Sequence, residues 1–126
     1  MDNEVSKMEQ ILSILKEKHK LVDNLMTLTK EMEKVIDRED FESLSAVLSM
    51  RQDSMDRIDK LIGSMEPLLN EETRTLLEPA EGPLSHYGPL ETNIFETNRM
   101  TRALLKKVIE LDEAINKKVQ QSAAPV

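Results

Sequence analysis

The chain has 126 residues, of which 33% are charged, and its formal net charge at pH 7 is -7. This acidic balance argues against nucleic acid as a partner, because phosphate binding requires clustered Lys and Arg, and the absence of Cys excludes disulfides and thiolate metal sites. The apolar residues are mainly Leu, Ile, Val and eight Met, with two Phe and no Trp, a composition typical of helices.

The first predicted helix covers residues 4 to 37, which contain no Gly or Pro. One face of it is marked by residues that recur at alternating steps of three and four. These are Val5, Met8, Leu12, Leu15, His19, Val22, Met26 and Thr29. Because the only other histidine lies far away in sequence, we interpret His19 as a packed seam residue and not as a catalytic or metal-binding one.

The second predicted helix runs from Phe41 to about Met65, with Asp40 as a favoured N-cap. Helix connections this short usually join antiparallel neighbours, so residues 1–65 are predicted to form a long helical hairpin. The seam of the second helix consists of Phe41, Leu44, Leu48, Met55, Ile58, Ile62 and Met65.

The register of the hairpin follows from setting the two seams against each other. This register places Leu15 near Ile62 and Val22 near Met55. Leu48, in the middle of the second seam, should then be buried as well. Side chains of this size lose about 2–5 kcal/mol of stability when truncated in a core.

Arg51 occupies the one place on the second seam that lacks an apolar residue. The register puts it beside Met26. An arginine in such a position can pack its stem on apolar neighbours and pair with a nearby acid, which is the role that we expect. Specification of the helix register, or contact with a bound partner, are the alternatives.

Residues 66–90 contain most of the Pro and two of the three Gly of the chain, and they predict a mobile connection instead of a core helix. Asn70, followed by Glu71 and Glu72, could cap one short helix through Leu77. The breakers in this stretch include Pro79, Gly82, Pro83, Gly88 and Pro89.

Helical periodicity returns from about residue 91 to residue 121, and residues 122–126 are expected to be a disordered tail. Since two helices cannot fully cover each other's apolar faces, the third helix completes a three-helix bundle or leaves that surface to another molecule. The predicted fold class is all-α, a long antiparallel hairpin plus a third C-terminal helix with coiled-coil-like packing. The candidate partner-binding residues on the third helix are Met100, Leu104, Leu105, Val108, Leu111 and Ile115.

The sequence contains no P-loop, dinucleotide-binding turn, HExxH or nucleophile elbow. Asp53, Asp56 and Asp59 are interleaved with basic residues and are typical of a solvated helix face, not of a metal site. All-helical chorismate mutases need several inward cations, whereas Arg51 is the only arginine on a seam. We therefore expect no enzyme activity, no catalytic residues, no cofactor and no metal. No apolar run approaches the ~18 residues of a membrane span, and no signal peptide is expected.

The stretch "LTKEMEKVIDRED" followed by "FESLSAVLSMRQDSMDRID" resembles the flagellar export chaperones of the FlgN and FliT type. The later "ETNRMTRALLKKVIELDEAI" is similar to the closing helix of that family. The family usually has a small residue such as Gly before the capping aspartate, where this chain has Glu39. The matching residues are Asp40, Phe41, Leu44, Leu48, Arg51 and Ile58.

This resemblance implies a cytoplasmic chaperone that holds an unassembled hook-associated or filament-cap subunit until the flagellar type III export apparatus takes it. The family binds a helical end of its client on apolar helix surface. Here the third helix and its connection are expected to capture the client segment. The alternative is a coiled-coil scaffold without a client, whose seam is satisfied by self-association, and a homodimer is compatible with either function.

Overall fold

The computed structural model describes residues 2–78 and 87–123. These residues form four α-helices and a short 3-10 turn, and within them no β-strand occurs, so the all-α prediction is confirmed. The elements are α1 (Asp2–Asp37), α2 (Phe41–Met65), the 3-10 turn (Glu66–Leu68), α3 (Glu71–Leu76) and α4 (Pro89–Ala123).

The turn between α1 and α2 ends one helix and begins the next within three residues. The amide of Asp40 donates to the Val35 carbonyl at 2.9 Å, and the amide of Glu39 donates to the Ile36 carbonyl at 3.0 Å. These two bonds form a Schellman ending, which requires left-handed backbone at Glu39, where φ is 57°. Asp40 is also the N-cap of α2, as predicted, because its carboxylate accepts from the Ser43 amide at 3.1 Å.

α1 is the central helix and packs along both α2 and α4. α4 runs parallel to α1, since Ile94 shares a core cluster with Ile11 near the start of both helices. Near the other end, Lys118 Nζ lies 2.8 Å from an Asp37 carboxylate oxygen. α2 runs in the opposite direction to both, so the three long helices form an up-down-up arrangement.

The core follows α1 as three clusters of buried apolar residues. The cluster nearest the start of α1 contains Ile11, Leu15, Met65, Leu76, Ile94 and Phe95. The middle cluster contains Val22, Leu25 and Val108. The cluster near the α1–α2 turn contains Met32, Val47 and Ile115. Each cluster includes a residue of α4, so this helix covers α1 within the same chain.

The predicted seam of α2 is wrong at three positions. Phe41, Leu48 and Ile62 are 68%, 45% and 40% exposed. The face of α2 that meets α1 instead includes Val47 and Ser54, which are 7% and 4% exposed. α2 is thus rotated about its axis relative to the predicted orientation, and three large apolar side chains are turned away from α1.

The antiparallel pairing of α1 and α2 remains close to the prediction. Met55 packs against the middle cluster, which contains its predicted neighbour Val22. Leu15 instead belongs to the same cluster as Met65, which lies about one turn beyond the predicted neighbour Ile62. Contact between Leu15 and Ile62 stays a prediction.

Part of the predicted connection belongs to the core. α3 begins where the sequence indicated, with the Asn70 side chain accepting from the Thr73 amide at 2.9 Å. Thr73 and Leu76 are each 1% exposed, and Leu76 packs with the first core cluster. The expectation of a connection outside the helical core is therefore wrong for Thr73 and Leu76, whereas the short helix itself was predicted. Residues 79–86 lie outside the described residues.

α4 begins at Pro89 and extends to Ala123, slightly beyond both predicted ends. Pro89 was expected to be a breaker, but proline is favoured in a first helical turn, where its missing N–H is not needed. At the other end, α4 includes residues 122 and 123, so the predicted tail of residues 122–126 begins too early. Residues 124–126 lie outside the described residues.

Candidate functional site

The six partner-binding candidates on α4 do not form one free surface. Val108 and Ile115 are 3% and 1% exposed and pack in clusters that contain α1 residues, whereas Met100 is 57% exposed. The remaining three are half-buried: Leu104, Leu105 and Leu111. Most of this stripe is thus occupied by α1 while α4 is docked, and whether it also binds a partner stays a prediction.

A groove lies between α2 and α4. Both helices pack along α1, but among the described residues their backbones do not run close to each other. The end of this groove near the α1–α2 turn is a pocket of about 260 Å³. All but one of its lining residues are apolar: Met32, Ile36, Phe41, Leu44, Leu48, Ile115, Asn116 and Val119.

The apolar rim continues away from this pocket along both helices. Ile62 lies two heptads after Leu48, which lines the pocket, and a straight helix turns by only about 20° per heptad relative to an exact seven-residue repeat. On α4, Ile109 lies seven residues before Asn116, which lines the pocket. We name this surface the α2–α4 groove and define its rim by the exposed residues Phe41, Leu48, Ile62, Ile109 and Val119.

Arg51 connects α2 to α4 beside the groove. Its Nη2 atom lies 3.2 Å from Asp112 Oδ1, and its Nη1 atom lies 3.4 Å from Met32 Sδ. The expected pairing with an acid is confirmed. The contacts of the guanidinium are with Met32 of α1 and Asp112 of α4, and the expected contact with Met26 stays a prediction. The Arg51 side chain is only 12% exposed, and its Nε atom has no hydrogen-bond partner in the described structure.

Two cations, Lys18 in the middle of α1 and Arg102 on α4, lie near enough for the charge of one to act on the other. Lys18 of α1 is half-buried, and Arg102 of α4 donates from Nη2 to the Leu77 carbonyl. Burial, and to a smaller extent the charge of Arg102, hold the pKa of Lys18 below its ordinary value. Within residues 2–78 and 87–123, no carboxylate forms an ion pair with either side chain.

Asp37, Asp40 and Lys118, near the α1–α2 turn, have partners within the chain. Hydrogen bonds from the side chain and backbone of Ser43 hold the pKa of the Asp40 carboxyl below its ordinary value. A hydrogen bond to Asp37, with the charge of Glu33 adding a smaller effect, raises the pKa of Lys118. The pocket end of the groove therefore offers mainly apolar contact to a ligand.

Two other residues considered in the sequence analysis, His19 and Asp53, contact side chains of the same chain. His19 is half-buried, as predicted, and its Nδ1 atom lies 2.8 Å from Thr101 Oγ1. Asp53 is exposed and pairs with Arg57 at 3.2 Å. The described residues contain no group of His, Asp or Glu side chains placed to hold a metal ion. No helix in the same part of the chain has the length and apolar character needed to cross a membrane.

Sequence reasoning missed Lys18, Arg102 and Ile109 as residues of interest. A signal for Lys18 was present, because it lies on a stripe with Leu15 and Val22 at steps of three and four. The predicted seam of the first helix instead runs through His19. Comparison of the chain with protein-family models, with curated proteins and with solved structures gives no match.

Proposed function

We propose that this protein is a cytoplasmic chaperone that binds a helical terminal segment of an unassembled flagellar hook-associated or filament-cap subunit and delivers it to the flagellar type III export apparatus. The proposal combines the resemblance of residues 28–59 to such chaperones with the α2–α4 groove. The chain contributes three long helices, and the client contributes a fourth that lies between α2 and α4.

The observation that carries this proposal is the clustering of exposed apolar side chains along one groove. Phe41 and Leu48 on α2 and Val119 on α4 line one pocket, and heptad spacing places Ile62 and Ile109 on the continuation of the same two faces. Each of the five is at least 40% exposed. Scattered apolar residues are normal on protein surfaces, whereas a contiguous apolar patch marks an interaction site.

The dimensions of the groove fit an amphipathic helix. The rim residues Phe41 and Ile62 are 21 positions apart in α2, which at about 1.5 Å per residue corresponds to roughly 32 Å. A client helix of about six turns would cover this length with an apolar stripe, in the helix-in-groove mode of peptide recognition. The net charge of -7 helps to keep a chain with this exposed surface from associating non-specifically.

Binding in the groove gives α4 a different part in the mechanism from the one expected from sequence. Val108 and Ile115 hold α4 on α1, and the neighbouring side of α4 offers Ile109 and Val119 to the client. α4 thus forms one wall of the site and does not have to leave the bundle for a client to bind.

The test uses the helical terminal segments of the hook-associated and filament-cap proteins encoded in the same genome, titrated against the full chain by isothermal calorimetry. Leu48→Glu and Val119→Glu should each weaken binding by about tenfold or more, because a carboxylate would face the apolar client stripe. Met50→Glu is the matched control. Met50 is also an exposed apolar residue of α2, at 57%, but it lines a different hollow together with Leu21.

The self-associating scaffold predicts a different result with the same variants. The wild-type chain would be an oligomer in light scattering, Leu48→Glu would convert it to a monomer, and no flagellar segment would bind. That outcome would replace the chaperone with the scaffold. Equal loss of client binding in the Met50→Glu control would place the site outside the groove.

A further inference from the structure

One charged residue stands on the core stripe of α1. The stripe advances by alternating steps of four and three through Ile11, Leu15, Lys18, Val22 and Leu25, and its apolar members are at most 4% exposed. Lys18 is half-buried. Its ammonium group therefore lies beside the core, where water solvates the charge less well than on an open helix face.

The surroundings of Lys18 differ from those of Arg51, the cation on the corresponding stripe of α2. Arg51 has Asp112 at 3.2 Å. Lys18 has no acidic partner in the described structure, and the charge that acts on it is the positive one of Arg102. Lys18 is half-buried and Arg102 is exposed, and among the described residues no carboxylate forms an ion pair with either. Two neighbouring cations of this kind are suited to a ligand that brings a negative charge.

The position of Arg102 assigns this cation pair to one end of the α2–α4 groove. Arg102 lies seven residues before Ile109 and fourteen before Asn116, so the three follow the same side of α4. Its guanidinium is held by the Leu77 carbonyl, which also accepts from Asn98 Nδ2 at 3.1 Å. The end of α3 thus fixes the direction of Arg102 before any ligand arrives.

We propose that Lys18 and Arg102 receive a carboxylate from an acidic side chain of the helix that docks in the α2–α4 groove. This inference rests on the proposed function and specifies the chemistry of the partner: an amphipathic helix with one acidic residue at the edge of its apolar stripe. The ammonium and guanidinium groups donate hydrogen bonds to the two carboxylate oxygens, so that two cations without an ion pair among the described residues gain a counter-charge.

The geometry also gives the spacing of the partner's residues. The apolar pocket lies at Asn116 and the cation pair at Arg102, fourteen residues apart on α4, which is about 21 Å along the helix axis. A partner helix that runs alongside α4 should carry its acid about two heptads from the large apolar residue that fills the pocket. The order of the two residues then fixes the direction in which the partner helix lies.

The test is a double-mutant cycle between the full chain and the client segment that binds it. Each Asp or Glu of the segment is changed in turn to Asn or Gln, and its affinity is measured for wild type, Lys18→Met and the control Lys16→Met, which alters an exposed lysine. Replacing one particular acid by its amide should weaken binding to the wild-type chain by about tenfold, as expected for the loss of a charge-assisted hydrogen bond. The same replacement should leave the affinity for Lys18→Met unchanged.

Other outcomes of this cycle separate the two proposals. If Leu48→Glu weakens binding but every amide-substituted segment binds wild type as tightly as the original, the carboxylate inference is overturned and the chaperone stands. If no flagellar segment binds at all, both are overturned.

A measurement on the free protein adds a readout that needs no client. Lys18→Met should melt at the same temperature as wild type or higher, because it removes a half-buried charge that no carboxylate of the described residues pairs. A lower melting temperature for Lys18→Met than for Lys16→Met would mean that Lys18 is already paired within the chain, and this would overturn the inference.

Discussion

The contact between Arg51 and Asp112 should respond very differently to the loss of either partner. Asp112→Asn keeps the size of the side chain but leaves the Arg51 guanidinium, which is 12% exposed, without its counter-charge. Arg51→Met removes the buried cation together with its unpaired Nε atom and leaves an apolar stem beside Met32. The two substitutions break the same ion pair, but only the first strands a charge in the bundle.

The magnitude follows from the exposure of the two side chains. Removing one partner of a fully buried pair costs about 3–5 kcal/mol, whereas exposed pairs contribute about 0–1 kcal/mol. Asp112 is 38% exposed, so solvent screens the pair and we expect Asp112→Asn to lose about 2 kcal/mol. Arg51→Met should remain within about 0.5 kcal/mol of wild type or become more stable, because apolar replacement of buried charges is often neutral or favourable.

Urea unfolding followed by far-UV circular dichroism measures both changes. In thermal melts, the loss for Asp112→Asn corresponds to roughly 6–10 °C for a domain of this size. The double variant Arg51→Met/Asp112→Asn should recover the stability of Arg51→Met, since the stranded charge is then gone. A loss for Arg51→Met as large as that for Asp112→Asn, or no recovery in the double variant, would show that the reasoning about burial is wrong.

Three further predictions concern the core, one titration and the turn. Leu15→Ala and Leu76→Ala should each lower the free energy of unfolding in urea by about 2–5 kcal/mol, since both residues are 1% exposed. Leu48→Ala should lower it by less than about 1 kcal/mol, because Leu48 is 45% exposed. Equal losses at all three positions would contradict the assignment of the groove. The pKa of Lys18 is lower in the folded protein than in the unfolded chain, so the unfolded chain binds more protons at pH values between the two pKa values. The free energy of unfolding should therefore rise with pH through that interval, and Lys18→Met should remove this rise in unfolding measured at several pH values. Glu39→Gly should raise the melting temperature, because φ of 57° is strained for glutamate and not for glycine, and a fall would show that the Glu39 side chain stabilises the turn.

The helices were predictable because their signals are local. The Asp40 cap and the breaker-free α1 need only a few neighbouring residues to be recognised. The same holds for Asn70, whose side chain caps α3 where the sequence indicated. The fold class, the hairpin and the start of α3 therefore followed from the sequence.

The face of α2 that contacts α1 was not predictable in the same way. Two stripes, one through Leu48 and Met55 and the other through Val47 and Ser54, compete for the contact with α1, and the first is the more apolar. The more apolar stripe predicts the core face, but only part of it packs there: Met55 contacts the middle cluster, whereas Phe41, Leu48 and Ile62 are exposed on the rim of the groove. The rotation depends on contacts with α4, including the one from Arg51 to Asp112, which are far apart in sequence.

The short α1–α2 turn fixes the rotation of α2 about its own axis. Asp40 closes the Schellman ending of α1 and caps α2, so there is no slack between the two helices in which an extra residue could be absorbed. One inserted residue would turn α2 by about 100° about its axis. The three rim residues of α2, Phe41, Leu48 and Ile62, would then point away from the groove, and residues from another face of α2 would take their place. Insertions at this point should therefore be tolerated far less well than insertions of the same size in an ordinary surface loop, and the surface offered to a partner depends on the chain length between residues 37 and 41.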